Sequence, residues 1–460
     1  MPTVELSQVE IPDFGAPTVE PEIGAAEYQA RITRAKEMAR DRGIDILLVY
    51  GDREHWSNLT FFTGYDPRFE ESLLILGPSD PPILLVGNEG MGFSRKSPIP
   101  LDRRLYQQLS LMGQPRGGSK PLEKLLVEAG LRKGREIGII DWKYFTSEVG
   151  PDHELWLCAP DFLVRAIRAV TGTDPRNVTD IAMHPATGLR CINSVDQLAA
   201  FEFNSTCTTR AMRRTLEALR PGMTEYEAVE IAAWNGMPAS CHPVMASGPR
   251  ADWVGSPSMR RLQEGDPVLF SLSGWGSLCA RAGFLVRDSG GLPPAIRDYV
   301  QKLAAPYFGA VVEWYQAIGI GTPGGELARI IQSRLGDPFF GVSLNPGHLI
   351  HLDEWVHSPI APGSQIPLAS GMAIQVDIIP ATGGPYFTSN IEDGIALADE
   401  RLRTELASRW PEVWRRIQAR RAFMKDRLGI SLKPEVLPFS SIPACLAPFL
   451  LSPRMLLRVT

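Results

Sequence analysis

The chain has 460 residues, of which 44% are apolar and 22% charged, and its net charge is −5. That length exceeds one ordinary core and predicts two domains, in a composition typical of folded proteins and unlike disordered ones. The acidic balance argues against a nucleic-acid partner, which leaves a basic footprint. No window approaches the ~18 uninterrupted apolar residues of a membrane span. Met1–Glu20 lacks the basic start and apolar stretch of a secretory signal, and six scattered cysteines with no CxxC pair predict reduced thiols in a cytoplasmic protein.

Residues 1–25 are rich in proline and acid and predict an extended arm. Glu27 to Gly43 reads as an amphipathic helix stopped by its glycine. Asp45–Tyr50, Leu73–Leu76, Ile83–Val86 and Ile137–Asp141 are apolar runs of buried-strand length, the last preceded by a helical stretch over 122–130. Strands alternating with helices predict an α/β domain with a mixed sheet, ending near residue 185. Ser194 is placed to cap a helix whose apolar positions include Leu198, Phe201, Met212, Leu216 and Leu219, with Pro221-Gly222 stopping it. Thr224-Glu225 opens a second helix, expected to run through Ala233. Strands are then expected at Val268–Leu272 and Phe284–Val286, helices over 294–319 and 325–335, and strands at Ala373–Ile379 and Gly394–Leu397. Residues 401–428 read as helix, with a solvated basic face at 415–427, before a proline-punctuated tail. Helices, strands, helices and strands in this order predict a duplicated α+β unit.

Several segments, in order, carry a family resemblance. Gly43-Ile-Asp-Ile-Leu-Leu, Phe61-Phe-Thr-Gly-Tyr65, Ile192-Asn-Ser-Val-Asp-Gln-Leu198, Arg220-Pro-Gly-Met-Thr-Glu225, Gly265-Asp-Pro-Val-Leu269, Gly347-His348 and Gly371-Met372 resemble motifs of the pita-bread family of creatinase, aminopeptidase P, prolidase and methionine aminopeptidase. The resemblance covers roughly residues 27–430. It implies an α/β creatinase-type N-terminal domain over 26–188 and an α+β pita-bread domain with internal pseudo-duplication over 189–430, flanked by the arm at 1–25 and a tail at 431–460. It also implies a homodimer.

The metallopeptidases of that family hold two metals on two Asp, one His and two Glu, because paired hard or borderline cations need bridging carboxylates. Carried onto this sequence, the first Asp position is Ser271 and the second is Ala280, and no acid occurs anywhere in Trp275–Val286. His348, Asp377 and Glu392 match the other three positions. The resemblance therefore implies either no metal or a single divalent metal held by His348, Asp377 and Glu392. Three of the seven histidines fall within ten residues: His348, His351 and His357. Their segment, Gly347–Pro359, resembles the family's histidine loop stretched by about two residues. His348 and His357 match the family's pair, and His351, which stands where the family has glycine, is a substrate-binding candidate. A further family histidine, eleven residues before Gly265, is replaced by Val254, with Pro257 supporting the register and His242 nearby as a candidate substitute. Arg68 stands where the N-terminal domain of such dimers reaches a neighbouring site, and it is a candidate for binding a substrate carboxylate.

No G-x-S-x-G, P-loop or G-x-G-x-x-G signature points to another chemistry, and Gly321–Gly325 reads as a turn between helices. The resemblance implies a hydrolase acting on a C–N bond of a small polar substrate (amidino, amino-acid or peptide-like) without the usual two-metal centre. His348 and His357 would bind substrate or move protons, and Asp377 or Glu392 would activate water. A lyase, a catalytically inactive binding protein and a metal-dependent Xaa-Pro peptidase stay open as alternatives. The expected partners are a small-molecule or peptide-like substrate and a second copy of the chain, with no nucleic acid and no membrane.

Overall fold

Continuous apolar runs build the sheet of the first compact unit, Ile23–Arg190, in the computed structural model, which describes residues 3–233, 236–252 and 255–460. Val254 lies outside the described residues. Six strands lie in the order Asp102–Leu105, Ile83–Val86, Ser72–Leu76, Ile46–Gly51, Ile137–Ile140 and Arg176–Asn177. Ile46–Gly51 runs antiparallel to Ser72–Leu76 and parallel to Ile137–Ile140, so the sheet is mixed. Its central strands are buried along their whole length, which explains unbroken apolar runs in place of alternation. Leu48, Ile75, Leu85 and Ile139 pack with Leu125, Leu126 and Ile167 of the helices Leu122–Glu128 and Asp161–Thr171 into one core.

The second unit combines Met1–Glu22 with Cys191–Thr460. Its larger sheet has the order His348–Leu349, Ala373–Asp377, Asn390–Leu397, Ser277–Phe284, Pro267–Gly274 and Val244–Ser247, with Val436–Pro438 paired to Asn390–Leu397. Among the described residues its neighbouring strands all pair antiparallel. The helix Val195–Ala218 begins where Ser194 accepts a hydrogen bond from the Gln197 amide, and it buries Leu198, Phe201 and Met212. Thr224 and Glu227 form a reciprocal capping box on the helix Glu225–Glu230. That helix stops short of Ala233, whose φ of +46° is left-handed and incompatible with helix continuation.

Three further expectations change. The strand expected at Phe284–Val286 is instead Ser277–Phe284, a fully buried run of small residues around one arginine. The turn Trp275-Gly276 joins it to Pro267–Gly274. Gly276 has φ +68°, and a Cβ there would meet Phe201 Cδ1 at 1.9 Å, so only glycine lets this hairpin pack under the long helix. Arg281 sits inside because Asp393 pairs with it at 2.7 Å and the carbonyls of Cys445, Ile442, Ala280 and Glu392 accept its other protons. The strand expected at Gly394–Leu397 begins earlier, at Asn390. The helix expected over 294–319 divides into a 3-10 turn, Pro294–Ile296, a π turn, Val300–Ala304, and the α-helix Ala305–Ala317. Pro306, which has no amide proton, falls at that junction.

The two ends of the chain form a separate two-stranded sheet, Val4–Gln8 against Met455–Val459, with Leu6 opposite Leu457. Val436, Leu437, Phe439 and Leu446 are buried, so residues 431–460 contribute to the core of this unit. Glu202 on the long helix accepts from Arg416 and Arg420 of the helix Pro411–Leu428, a buried ion network that ties the two helices together. Among the described residues no helix is long and apolar enough to cross a membrane.

Candidate active site

Four strands of the larger sheet each bring one residue to a single cross-strand row. Ser271 lies opposite Ala280, Ala280 opposite Glu392, and Glu392 opposite Asp377. Directly opposed residues project from the same face, so both carboxylates stand on the face that carries Ser271 and Ala280. The two uncharged positions and the two charged ones are adjacent pairs in this row.

A histidine joins the row from the sheet edge. His348 pairs with Gln375, two residues along the strand from Asp377. Gly347 precedes it with φ +133°, and a Cβ there would come within 2.9 Å of the Gln375 carbonyl oxygen. Glycine thus allows the edge strand to approach and carry His348 inward. His348 Nε2 is fully buried and lies 3.9 Å from Asp377 Oδ2. After Leu349 the chain doubles back: the Leu349 amide donates to the His357 carbonyl at 2.7 Å, and the Val356 amide donates to the Leu349 carbonyl at 3.0 Å. This hairpin folds Glu354 and Trp355 back over His348. Glu354 Oε1 is 3.2 Å from His348 Nε2, and the Trp355 ring stacks on the imidazole with centroids 4.1 Å apart and planes 20° apart. Ser358 pins the base of the hairpin by donating to the Gly347 carbonyl at 2.7 Å. One ligand atom each from His348, Glu354 and Glu392 lie within 4.8 Å of one another.

The electrostatics follow from crowding three carboxylates around one imidazole away from water. Burial pushes Asp377 up to about 6, with Glu354 adding to the rise and His348 opposing it. Burial and then the charges of Asp377 and Glu354 hold Glu392 well above the usual carboxylate range. Burial alone would lower His348, but Glu354 and Asp377 outweigh it and raise the imidazole. Asp377 Oδ1 is buried and has no hydrogen-bond partner among the described residues.

The other sequence candidates lie elsewhere. His351 is buried with its ring edge-on to Phe201 at 5.1 Å, facing the long helix. His357 is half-buried at the return of the hairpin, and its backbone carbonyl closes the turn. Neither belongs to the group of ligand atoms formed by His348, Glu354 and Glu392. His242 is exposed. Arg68 belongs to the Ile23–Arg190 unit, where its guanidinium pairs with Asp66 at 2.8 Å and lies over Trp56.

Three residues at the site have no counterpart among those candidates: Glu354, Trp355 and Cys241. The first two were signalled by the two-residue stretch of the histidine loop, which supplies the hairpin turn. Cys241 precedes His242, and its thiol lies within electrostatic reach of Glu354 and Glu392. Ser273, on the same strand face as Ser271, anchors that segment by accepting from the Cys241 amide at 2.9 Å and donating to its carbonyl at 2.7 Å. Burial pushes the Cys241 thiol up, so it is no ready nucleophile.

All of these sheet and hairpin residues fall within residues 204–405, the stretch that matches the model of metallopeptidase family M24. That match covers somewhat less than half of the chain. No curated protein sequence matches the chain. Among solved structures, the prolidase of Pyrococcus horikoshii OT3 superposes with a TM-score of 0.61 at 17% identity, over 80% of this chain and 95% of that one. The dipeptidase PepE of Mycobacterium ulcerans gives 0.60 at 19% identity, over 82% and 95%. The X-Pro aminopeptidase of Thermotoga maritima MSB8 gives 0.61 at 15% identity, over 80% and 95%. At these identities the likeness is one of fold. It extends beyond that stretch, and the chain has the architecture of an α/β domain followed by a pita-bread domain.

Proposed function

We propose that this protein is a hydrolase that cleaves a C–N bond in a peptide-like or other small polar substrate, with His348, Asp377 and Glu392 at its reacting centre and without a two-metal site. The observation that carries this reading is the uneven cross-strand row, in which Glu392 and Asp377 are carboxylates while Ser271 and Ala280 are uncharged. Ala280 has no donor atom for a cation and Ser271 only a neutral hydroxyl, which argues against a bridged pair of ions. The buried His348 Nε2, which makes no hydrogen bond among the described residues, and Asp377 Oδ2, 3.9 Å from it, suit one divalent ion on His348, Asp377 and Glu392. When bound, such an ion would polarise the scissile carbonyl and acidify a water.

The chain's own residues supply the rest. Asp377 Oδ1 is placed to take a proton from an attacking water, since no protein group occupies it. His348 is held on two sides, by Trp355 against its face and by Glu354 at Nε2, so its ring has a fixed orientation for binding or proton transfer. The hairpin limits the access of water to the buried carboxylates. The names of the structural neighbours make Xaa-Pro dipeptides the first substrates to test, with amidino compounds as the second panel. With the best of these, His348→Ala is expected to lower kcat/KM by about 10²–10⁴-fold. Unchanged turnover would remove His348 from the centre.

A second reading, a binding protein with no activity, draws support from the uncharged residues at Ser271 and Ala280. It predicts saturable substrate binding by calorimetry with no turnover by the wild-type chain.

A further inference from the structure

Glu354 has no counterpart in the five-ligand pattern that the family resemblance implies, yet it stands closer to His348 Nε2 than Asp377 does, at 3.2 Å against 3.9 Å. It comes from the hairpin turn and not from the sheet. The sheet row has no charge at Ser271 and Ala280, and the hairpin delivers one from above the same cluster. We propose that Glu354 closes a site for one divalent cation together with His348 and Glu392, and that the ion fastens the hairpin 349–357 to the sheet. The proposal rests on the reading of His348 and Glu392 as part of the reacting centre.

Two observations beyond the acidic cluster point to a cation. The three ligand atoms lie within 4.8 Å of one another, a spacing that one ion can draw together with small side-chain adjustments. His348 Nε2, on a side chain with no exposure, sits inside this group and makes no hydrogen bond among the described residues, and Asp377, only 6% exposed, turns Oδ2 toward it at 3.9 Å. Among the described residues no Lys or Arg side chain forms an ion pair with Glu354, Asp377 or Glu392; Arg281, a buried cation on the neighbouring strand, is committed to Asp393. One His with two or three carboxylates is a donor set suited to Mn²⁺, Zn²⁺ or a similar ion. Because Glu354 is carried by the hairpin and Glu392 by the sheet, binding links the two mechanically.

The test uses the full-length protein stripped with a chelator and titrated with Mn²⁺ and, separately, Zn²⁺ by calorimetry, alongside hydrogen exchange. One equivalent should bind, and exchange at residues 349–357 should slow in the presence of the ion. Glu354→Gln should weaken binding by at least about tenfold and abolish the exchange protection, whereas Glu354→Asp should retain part of both. Circular dichroism confirms that each variant is folded, and the Asp variant keeps the comparison valid if the Gln variant is not. No binding, two equivalents, or undiminished binding by both variants would overturn the proposal and leave Glu354 as a simple ion-pair partner of His348. Neither readout requires turnover: an ion bound through Glu354 in a chain that hydrolyses nothing would sink the proposed hydrolase and leave this site standing.

Discussion

A buried charge in this protein survives only with its partner, and Arg281 with Asp393 is the sharpest case. Both side chains are at most 3% exposed, and the arginine lies on the strand that also carries Ala280. Asp393→Ala would strand a guanidinium in the core and should cost about 3–5 kcal/mol in urea denaturation. Replacing both with apolar side chains of similar volume should recover most of that loss. The same logic explains what the sequence disclosed residue by residue. That His348, Asp377 and Glu392 lie near one another was legible because each sits in a segment that resembles a family motif, in matching order. Glu354 was not, because its position depends on the chain doubling back after Leu349, a tertiary event with no local signature beyond a slightly long loop. Arg281 misled in the other direction: an arginine among small residues hid a fully buried strand, since its partner Asp393 lies 112 residues further on.

Secondary-structure elements were most readable where capping chemistry or unbroken apolar runs announced them. The Ser194 cap, the Thr224 box and the strands Ile46–Gly51 and Ile83–Val86 lie within a few residues of expectation. The helix Glu400–Arg409 shows how much one cap contributes. The Asp399 side chain accepts from the Leu402 amide at 2.8 Å, and that bond, ahead of the opposing effect of burial, holds its carboxyl below the usual range. Asp399→Ala should cost about 1 kcal/mol at pH 7. Because the folded-state value is depressed, this stability is fully present above the unfolded-state value of about 3.9 and declines as pH falls through the lower folded value. Thermal unfolding of the two proteins should therefore differ equally at pH 7 and pH 5, and the gap should narrow below about pH 4. The broken helix over 294–317 was less legible. Its apolar content is continuous, and the π turn before Pro306 reflects packing that periodicity does not encode.

At the scale of the whole molecule, one compact unit is contiguous and the other is assembled from both ends of the sequence. Two units and an α/β-then-α+β order were legible from strand and helix alternation. The pairing of Val4–Gln8 with Met455–Val459 was not, because an extended proline-rich stretch reads as an arm until its distant partner is known. Deleting residues 1–9 should expose Leu456 and Leu457, both buried. Hydrogen exchange should then rise at Met455–Val459 and remain unchanged in the strands of Ile23–Arg190. The same pairing imposes a schedule on a growing polypeptide. The segment Ile23–Arg190 can complete its sheet while ribosomes are still translating the remainder. Val4–Gln8, though synthesised before that segment, has no partner until Met455–Val459 emerges. Until then it is an unsatisfied β-edge, and Pro12 and the acidic residues Glu5, Glu10 and Asp13 in and beside it are the kind of residues that keep such an edge from pairing wrongly.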